Sequence, residues 1–402
     1  MFESVPVNPP DAIFGLNEEF KRDPNPNKVN LTVGMYQDES GKTPVMAAVS
    51  QAIERIAAAG QSRVYLPIDG YTHFNDQIPE LVFGPDHAVI KDNRARSSQT
   101  PGGTVALRVA GEVLREILGV KNVWLSRPTW TNHINIFMAA GLTVLPYGYL
   151  DKAGTGFDFD ECLETFSQME PRDAVVLHTV CHNPTGVDPT PEQWDKILDV
   201  IERKSLIPIF DFAYQGFGKS IDEDAYPIRE FGKRGLSALV CNSFSKNFNL
   251  YGERVGAITA LAPNPDALAG IHSQIKQTIR SMYSNPPTFG GAIVANVFQD
   301  EALKNQWKQE LETMRLRINS MRKEFVETID DAVGDKRFDH VLQQRGMFSY
   351  SGIAPEVVEV LKNQHSVYLL KSGRINVAGI NKTNLQHICD CIAKALAEVA
   401  DG

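Results

Sequence analysis

Lys246 is the first residue whose surroundings suggest chemistry. It follows residues 238–241, a short apolar run typical of a buried strand, and the hydroxyl side chains of Ser243 and Ser245. A lysine at a buried strand end loses solvation, and a nearby cation such as Arg254 lowers its pKa further, so that a neutral amine can attack a carbonyl. Two serines and an arginine can hold a phosphate. This combination indicates a pyridoxal-phosphate site, although a solvated surface lysine has the same spacing.

Three other loops carry groups suited to the same cofactor. Gly103 and Thr104 precede an amphipathic helix, and free backbone N–H groups at a helix N-terminus bind anions. Asp211 follows an apolar run and could pair with a protonated pyridine nitrogen. Residues 183–186, Asn-Pro-Thr-Gly, follow another apolar run. Each loop alone also fits a helix cap or an ordinary β-turn, but their recurrence at successive strand ends favours one shared site.

The elements that must position these loops alternate between short apolar runs and amphipathic helices. This alternation indicates an α/β domain with a mostly parallel sheet, in which ligands bind at the carboxyl ends of the strands. The predicted strands are 123–126, 142–146, 174–178, 206–210 and 238–241. The predicted helices are 44–59, 105–117, 132–140, 160–168 and 191–203.

The pattern changes in the C-terminal part of the chain. Residues 301–330 place apolar side chains at steps of three and four, which predicts one long helix that joins two domains. The segments beyond it indicate a compact α+β domain. Its predicted strands are 347–350, 367–370 and 374–377, and its predicted helices are 355–363 and 383–399.

Composition favours an ordinary globular protein. The chain has 402 residues, of which 43% are hydrophobic and 22% charged, and its formal net charge of -9 disfavours binding to nucleic acid. The five cysteines are scattered and lack zinc spacing, so we expect reduced thiols and no structural metal. The N-terminus has no secretory pattern, and no apolar run approaches the roughly 18 residues of a membrane helix. We therefore expect a cytoplasmic protein that does not bind membranes.

Ten motifs together are specific enough to indicate a family. In chain order they are NLTVGMYQDESGKTP, YLPIDG, TPGGTVALR, PTWTNHINIF, CHNPTG, DFAYQGF, SFSKNFNLYGERVG, IRSMYSNPP, GMFSYSG and GRINVAG. On these motifs the chain resembles the class I pyridoxal-phosphate-dependent aminotransferases of the aspartate and aromatic amino acid subgroup, over essentially its whole length.

The resemblance implies the α/β fold of the fold-type I pyridoxal-phosphate-dependent transferases. A large domain, residues 44–313, would contain a mostly parallel seven-stranded sheet flanked by helices. A smaller α+β domain would combine residues 15–43 with 314–402. Residues 1–14, which contain three prolines and no periodic pattern, would form an N-terminal arm.

The same resemblance assigns catalytic roles. Lys246 would form a Schiff base with pyridoxal phosphate and then carry a proton between the substrate's α-carbon and the cofactor. Asp211 would pair with the pyridine nitrogen, and His133 and His178 would support it. The partner subunit's Tyr65 would complete the catalytic set and contact the phosphate.

Further residues would bind the cofactor without taking part in proton transfer. Trp130 would stack on the ring face, and Asn183 and Tyr214 would form hydrogen bonds with its phenolic oxygen. Within one chain, the phosphate would be held by Gly103, Thr104, Ser243, Ser245 and Arg254.

Two arginines would recognise the substrate. Arg374 would bind the α-carboxylate in a bidentate fork that lysine cannot reproduce. Arg280 of the partner subunit would bind the side-chain carboxylate of aspartate or glutamate, so a homodimer would be required for activity. The substrate pocket would be lined by Gly34, Trp130, Asn183 and Phe348. The small domain would close over the bound substrate.

The amino donor stays open between two alternatives. Gly252 resembles the aromatic members, and Met35, Gln37 and Val64 depart from the strict aspartate pattern, whereas Thr43, Thr104 and Asn285 fit the aspartate type. We expect a broad enzyme that transfers amino groups between phenylalanine, tyrosine, tryptophan or aspartate and 2-oxoglutarate by a ping-pong mechanism. A strict aspartate aminotransferase is the alternative.

Two other functions are disfavoured. Two carboxylate-binding arginines argue against decarboxylation, which is aided by a poorly stabilised carboxylate. A regulator that senses a ligand and binds DNA would need a helix-turn-helix and a basic face, and we find neither in the sequence.

Overall fold

The computed structural model describes residues 2–7, 12–60, 62 and 64–401 of the chain. Its strands are β1 (Val29–Asn30), β2 (Ala95–Thr100), β3 (Asn122–Arg127), β4 (Thr143–Gly148), β5 (Ala174–His178), β6 (Ile207–Phe212), β7 (Ala238–Ser243), β8 (Gly256–Leu261), β9 (Phe348–Tyr350), β10 (Val367–Tyr368) and β11 (Arg374–Asn376). Its helices are α1 (Ala12–Arg22), α2 (Ala47–Ala58), α3 (Thr72–Phe83), α4 (Ala88–Lys91), α5 (Gly103–Glu112), α6 (Thr131–Ala139), α7 (Phe159–Gln168), α8 (Pro191–Lys204), α9 (Tyr226–Lys233), α10 (Pro265–Met282), α11 (Thr288–Gln299), α12 (Glu301–Val333), α13 (Pro355–His365) and α14 (Leu385–Asp401).

Seven strands form one sheet in the order β2-β8-β7-β6-β5-β3-β4. Strands β3 to β7 pair in parallel, whereas β8 runs antiparallel to β7 and β2. The mostly parallel seven-stranded sheet expected from the sequence is therefore confirmed. Because the parallel strands all end at one edge, the loops after β5, β6 and β7 lie side by side there.

The five predicted strands correspond to β3–β7, but the sequence analysis did not predict β2 and β8. Strand β2 is polar although it is buried, because Ser97, Ser98, Gln99 and Thr100 are at most 1% exposed. Its polar groups are satisfied inside the protein. For example, the hydroxyls of Ser97 and Thr259 lie 2.7 Å apart. A buried strand of this kind carries no apolar pattern that would reveal it.

Outside the large sheet, a segment from the N-terminal part of the chain pairs with one from the C-terminal part. Strand β1 pairs in parallel with β10, with Val29 opposite Val367, and β9 pairs antiparallel with β11. The predicted long helix is confirmed as α12, which has 33 residues. Helix α1 begins at Ala12, within the stretch predicted as the N-terminal arm. Residues 1 and 8–11 of the predicted arm lie outside the described residues.

No helix in the described ranges combines the length and apolarity needed to cross a membrane. The five cysteines are buried and form no disulfide. No group of three or more His, Cys, Asp or Glu side chains in the same ranges is placed to hold a metal ion.

The loop that carries Lys246 is held from behind by α12. Trp307 of that helix is fully buried and stacks on Phe248, with ring centroids 4.8 Å apart. Its Nε1–H donates to the backbone carbonyl of Asn247 at 2.7 Å. Phe298 packs edge-on against both rings. The position of Lys246 therefore depends on the packing of this aromatic cluster.

Replacement of Trp307 should destabilise the fold in two steps. Trp307→Phe keeps most of the packing but leaves the Asn247 carbonyl unpaired, and should lower the free energy of unfolding by about 1–3 kcal/mol. Trp307→Ala also opens a cavity and should lower it by about 3–5 kcal/mol. Urea denaturation followed by circular dichroism measures both changes. Leu316→Ala on the exposed side of the same helix is the control, and should change stability by less than about 0.5 kcal/mol. Equal stabilities of the wild type and Trp307→Ala would contradict this account.

Candidate active site

A pocket of about 250 Å³ lies at the carboxyl edge of the sheet. It brings together most of the residues that the sequence analysis selected: Gly34, Gly103, Thr104, Trp130, Asn183, Asp211, Tyr214, Ser243, Ser245, Lys246, Arg254, Phe348 and Arg374. They come from both the large sheet and the C-terminal part of the chain. The predicted cofactor and substrate residues of one chain thus face a single cavity.

Lys246 places its side-chain amine, whose pKa is lowered, in this pocket. Its Nζ lies 4.8 Å from the centroid of the Tyr214 ring. Burial lowers the pKa of Lys246 to about 8, with the charge of Asp211 acting against this shift and that of Arg254 acting with it. An appreciable fraction of the side chain is therefore the neutral nucleophile near physiological pH.

Asp211 is held by a chain of hydrogen bonds that runs in one direction. The backbone N–H of Asn183 donates to His178 Nδ1 at 3.5 Å, and His178 Nε2 lies 3.1 Å from Thr129 Oγ1. Thr129 Oγ1 in turn lies 2.9 Å from His133 Nδ1, and His133 Nε2 lies 3.0 Å from Asp211 Oδ2. In this order of donors and acceptors, each imidazole accepts a hydrogen bond at Nδ1 and donates one from Nε2.

The pKa shifts of His178 and Asp211 agree with this chain of hydrogen bonds. Burial lowers the pKa of His178 to about 3, which keeps its ring neutral. Burial acts to raise the pKa of Asp211, but the hydrogen bond from His133, together with charges that include that of Lys246, holds it below its ordinary value. Asp211 is therefore an ionised carboxylate that can hold a proton on a ring nitrogen in the pocket.

A cradle for an anion lies at the N-terminus of α5. Gly102 precedes the helix at φ +83°, and a Cβ there would lie 2.4 Å from Nη2 of Arg254. A Cβ on Gly103 would lie 3.0 Å from that of Ser243, so the cradle has no space for side chains at either glycine. Arg254 Nη1 donates to Ser245 Oγ at 3.3 Å. Helix N–H groups, hydroxyls and a guanidinium converge here as a phosphate requires.

These groups fit pyridoxal phosphate. The amine of Lys246, the carboxylate of Asp211 and the anion cradle occupy different walls of one pocket, and the Trp130 ring lies beside them. Those are the partners that the cofactor's aldehyde, ring nitrogen, phosphate and ring face need.

Arg374 is a buried cation that pairs with no carboxylate among the described residues. It is 3% exposed, and burial lowers its pKa to about 10 while Tyr214 acts against the shift. Nη1 donates to Asn183 Oδ1 at 3.3 Å, and Nη2 donates to the carbonyl of Thr32. Nε has no partner among the described residues. Because burial of an unpaired charge is costly, the site calls for an anionic ligand.

Two predicted residues lie outside the pocket of their own chain. Tyr65 is 89% exposed. Arg280 lies near the end of α10 on the surface, where its Nη1 donates to Ser284 Oγ. Their roles in a partner subunit's site remain predictions.

Four residues that line the pocket or support it were not predicted from the sequence: Leu107, Ala213 and Tyr251 line it, and Thr129 supports it. Tyr251 lines the pocket, and its carbonyl accepts a hydrogen bond from Arg254 Nη1 at 3.1 Å. Tyr251 lies within the quoted motif around Lys246. Leu107 lines the pocket from α5. Thr129 joins the two histidines and precedes Trp130 in a quoted motif. Only its three-dimensional position identifies it as a link.

The mostly parallel sheet, the lysine and carboxylate that line one pocket, and the anion cradle define a pyridoxal-phosphate-dependent enzyme. The family model "Aminotransferase class I and II" matches residues 26–392. The chain is 45% identical to the aspartate aminotransferase of Haemophilus influenzae, covering 98% of this chain and 100% of the relative. It is 44% identical to the aromatic-amino-acid aminotransferase of Escherichia coli, covering 99% and 100%.

A solved structure agrees with these relatives. The aromatic-amino-acid aminotransferase from Burkholderia pseudomallei, covalently bound to pyridoxal phosphate, superposes with a TM-score of 0.96 at 43% identity, covering 98% of this chain and 99% of that one. The chain belongs to the class I and II aminotransferases. The family inferred from the sequence motifs is thus confirmed.

The pKa of Lys246 can be tested directly in the cofactor-free protein. Competitive labelling with a small amine reagent, followed by peptide mass spectrometry across pH, should give a midpoint near 8 for Lys246. Asp211→Asn removes a charge that raises this pKa and should move the midpoint down. Arg254→Gln removes a charge that lowers it and should move the midpoint up. Shifts in the same direction for both variants would show that the charges of Asp211 and Arg254 do not control the amine.

Proposed function

We propose that this enzyme transfers the α-amino group between an aromatic amino acid or aspartate and 2-oxoglutarate, in two ping-pong half-reactions. The observation that carries the proposal is the unpaired guanidinium of Arg374, which faces the same pocket as the amine of Lys246. An α-amino acid presents a carboxylate and an amine on one carbon, so it can engage both residues at once. A strict aspartate aminotransferase is the alternative, since relatives of both names match at similar identity.

The cofactor is pyridoxal phosphate, which when bound supplies the electron-withdrawing ring that weakens the substrate's α-C–H bond. Lys246 Nζ takes the proton from the substrate's α-carbon and carries it to the cofactor. The Asp211 carboxylate keeps a proton on the ring nitrogen. Gly103, Thr104, Ser243, Ser245 and Arg254 hold the phosphate.

The substrate is oriented by Arg374, with its α-carboxylate in the guanidinium fork. The Phe348 ring lies against that guanidinium, with its centroid 4.1 Å from Cζ. A Cβ on Gly34 would lie 2.5 Å from Phe348 Cζ, so glycine at this position keeps the ring in place. Arg280 of the partner subunit binds a dicarboxylate's second carboxylate and moves aside for an aromatic ring.

We further propose a cytoplasmic homodimer whose active sites are shared between subunits. The exposure of Tyr65 and of the apolar Phe2, Val5 and Val7 supports it, because each is 63% exposed or more on the isolated chain. The proposed domains are an arm (1–14), a large domain (44–313) and a small domain (15–43 with 314–402). The pairing of β1 with β10 supports the last grouping.

The breadth of specificity is tested by kcat/KM for aspartate and phenylalanine with 2-oxoglutarate as acceptor. Values within about tenfold, or about 1.4 kcal/mol of transition-state discrimination, are expected for the wild type. Arg280→Ala should lower kcat/KM for aspartate by about 100-fold or more, since it removes charge-assisted hydrogen bonds worth about 1.5–3 kcal/mol each. For phenylalanine the loss should stay below about tenfold.

Arg203→Ala, on the exposed surface of α8, is the matched control and should leave both substrates unaffected. Equal losses with Arg280→Ala would contradict the movement of Arg280 aside for aromatic substrates. A wild-type preference for aspartate by several powers of ten would establish the alternative function.

Shared active sites are tested by mixing two inactive variants. Lys246→Ala should lack activity with every donor, and Arg280→Ala should be poorly active with aspartate. After dissociation and random reassociation, each hybrid dimer contains one site with both native residues. The mixture should therefore recover about a quarter of the wild-type aspartate activity. Analytical ultracentrifugation should give the mass of a dimer. Failure of the dimeric mixture to recover activity would place Arg280 in its own chain's site.

A further inference from the structure

A second pocket, of about 490 Å³, is lined by five cationic side chains. They are Lys219, Arg315, Arg322, Lys323 and Arg345. Among the described residues that line it, none is acidic. We call it the basic pocket. Charge of one sign in one concave site raises the local concentration of anions.

The five cations come from three separate segments. Lys219 lies in the loop after β6, and Arg345 lies just before β9. Arg315, Arg322 and Lys323 belong to α12, where Arg322 and Lys323 follow Arg315 after about two turns of the helix. Because these segments are far apart in the sequence, only the fold brings their charges together.

Arg322 forms the floor of the basic pocket. It is 3% exposed, and burial lowers its pKa to about 10, so it remains a cation at neutral pH. Its donors reach neutral acceptors: Nε bonds to Ser349 Oγ at 3.3 Å, Nη1 to Asn319 Oδ1 at 3.2 Å, and Nη2 to the carbonyl of Gly346. The described residues thus give this guanidinium hydrogen bonds but no ion pair, and the charge of nearby Asp188 offsets the cost of its burial only in part.

The buried carboxylates of Asp188 and Asp224, near the basic pocket, accept hydrogen bonds from backbone N–H groups. The two oxygens of Asp188 accept the backbone N–H groups of Cys181 and His182 at 2.8 and 2.9 Å. Asp224 accepts three backbone N–H groups, including that of Lys219. These carboxylates organise loops behind the pocket.

Two surface carboxylates pair with cations of the pocket from outside. Glu312 lies 3.2 Å from Arg315, and Glu327 lies 3.6 Å from Lys323. Both acids are at least 60% exposed, and exposed pairs of this kind are weak because water and salt screen them. The positive charge of the basic pocket is therefore only partly offset.

We propose that the basic pocket is a binding site for a compact polyvalent oxyanion, of which the phosphoryl group is the best chemical match. Guanidinium forks bind the oxygens of phosphate in pairs, and lysines add point charges from the sides. A tetrahedral oxyanion accepts donors from several directions at once, as three converging segments provide. This site is separate from the phosphate cradle at α5 and does not depend on the proposed substrate specificity.

The basic pocket connects to the active site through the backbone. The N–H of Arg345 donates to the carbonyl of Gly186 at 2.7 Å, three residues beyond Asn183. Lys219 follows Tyr214 by five residues in the same loop. An anion held between Lys219 and Arg345 therefore joins two loops that also line the active site, and should protect both from opening.

Inorganic phosphate, titrated calorimetrically into the holoenzyme at low ionic strength without substrate, tests the proposal. The double variant Lys219→Gln/Arg345→Gln should weaken the dissociation constant at least about tenfold. The matched control Lys304→Gln/Lys308→Gln removes two charges from α12 outside the basic pocket and should bind as the wild type does. In hydrogen exchange, phosphate should protect residues 218–219 and 342–346 of the wild type but not of the double variant.

Three outcomes would overturn the proposal. The first is equal affinity in the double variant and the wild type. The second is loss of binding in Arg374→Lys, which would place the phosphate in the active site. The third is tighter binding of malonate than of phosphate in Arg374→Lys, whose active-site carboxylate receptor is altered, because this would favour a dicarboxylate ligand for the basic pocket. Circular dichroism and cofactor absorbance verify folding, and Lys219→Gln alone, an exposed change, repeats the test if the double variant does not fold. Because no amino transfer is measured, failure here leaves the proposed function untouched.

Discussion

Three charged side chains, Lys246, Asp211 and Arg374, share one small pocket, and the cost of removing charge from water governs the structure around them. Each is supported differently. Asp211 is stabilised as an anion by the imidazole chain, and Lys246 responds to burial by a lowered pKa. Arg374 keeps its charge and is only partly satisfied by neutral oxygens. The pocket is thus organised for ligands that carry an anion and a carbonyl or amine.

The fold supplies these charges from two sources. The parallel sheet places Asp211 and Lys246 on neighbouring strand ends, where their separation is set by strand spacing. Arg374 comes from β11, outside that sheet, and reaches the pocket from the C-terminal part of the chain. The reacting groups are therefore on a rigid base, whereas the carboxylate receptor is on an element that is free of the sheet's hydrogen-bond ladder. This division places Arg374 on a different element from the strands that lead to Asp211 and Lys246.

Local pattern predicted β3–β7 and the long helix because apolar periodicity survives in those segments. It did not predict β2, whose buried hydroxyls and amide bond to distant partners. The family motifs identified Lys246 and Asp211. Only the fold shows that Trp307, which is 61 residues away in sequence, supports the loop of Lys246. The basic pocket was invisible for the same reason, since its cations come from three distant segments. Roles for Tyr65 and Arg280 depend on a second chain, and no pattern within one chain can place them.

The one-way hydrogen-bond chain from Asn183 to Asp211 has a mechanical consequence. Asn183 touches Arg374 with its side chain and His178 with its backbone N–H, so it belongs to the substrate receptor and to the support of the ring-binding carboxylate at once. When a carboxylate takes over the donors of Arg374, the side chain of Asn183 loses its partner, and any displacement of its backbone strains the longest link of the chain. In the proposed function, binding of a substrate carboxylate at Arg374 therefore acts, through Asn183, on the hydrogen bonds that hold Asp211. In the proposed function, Asn183 thus links the recognition of substrate by Arg374 to the carboxylate of Asp211.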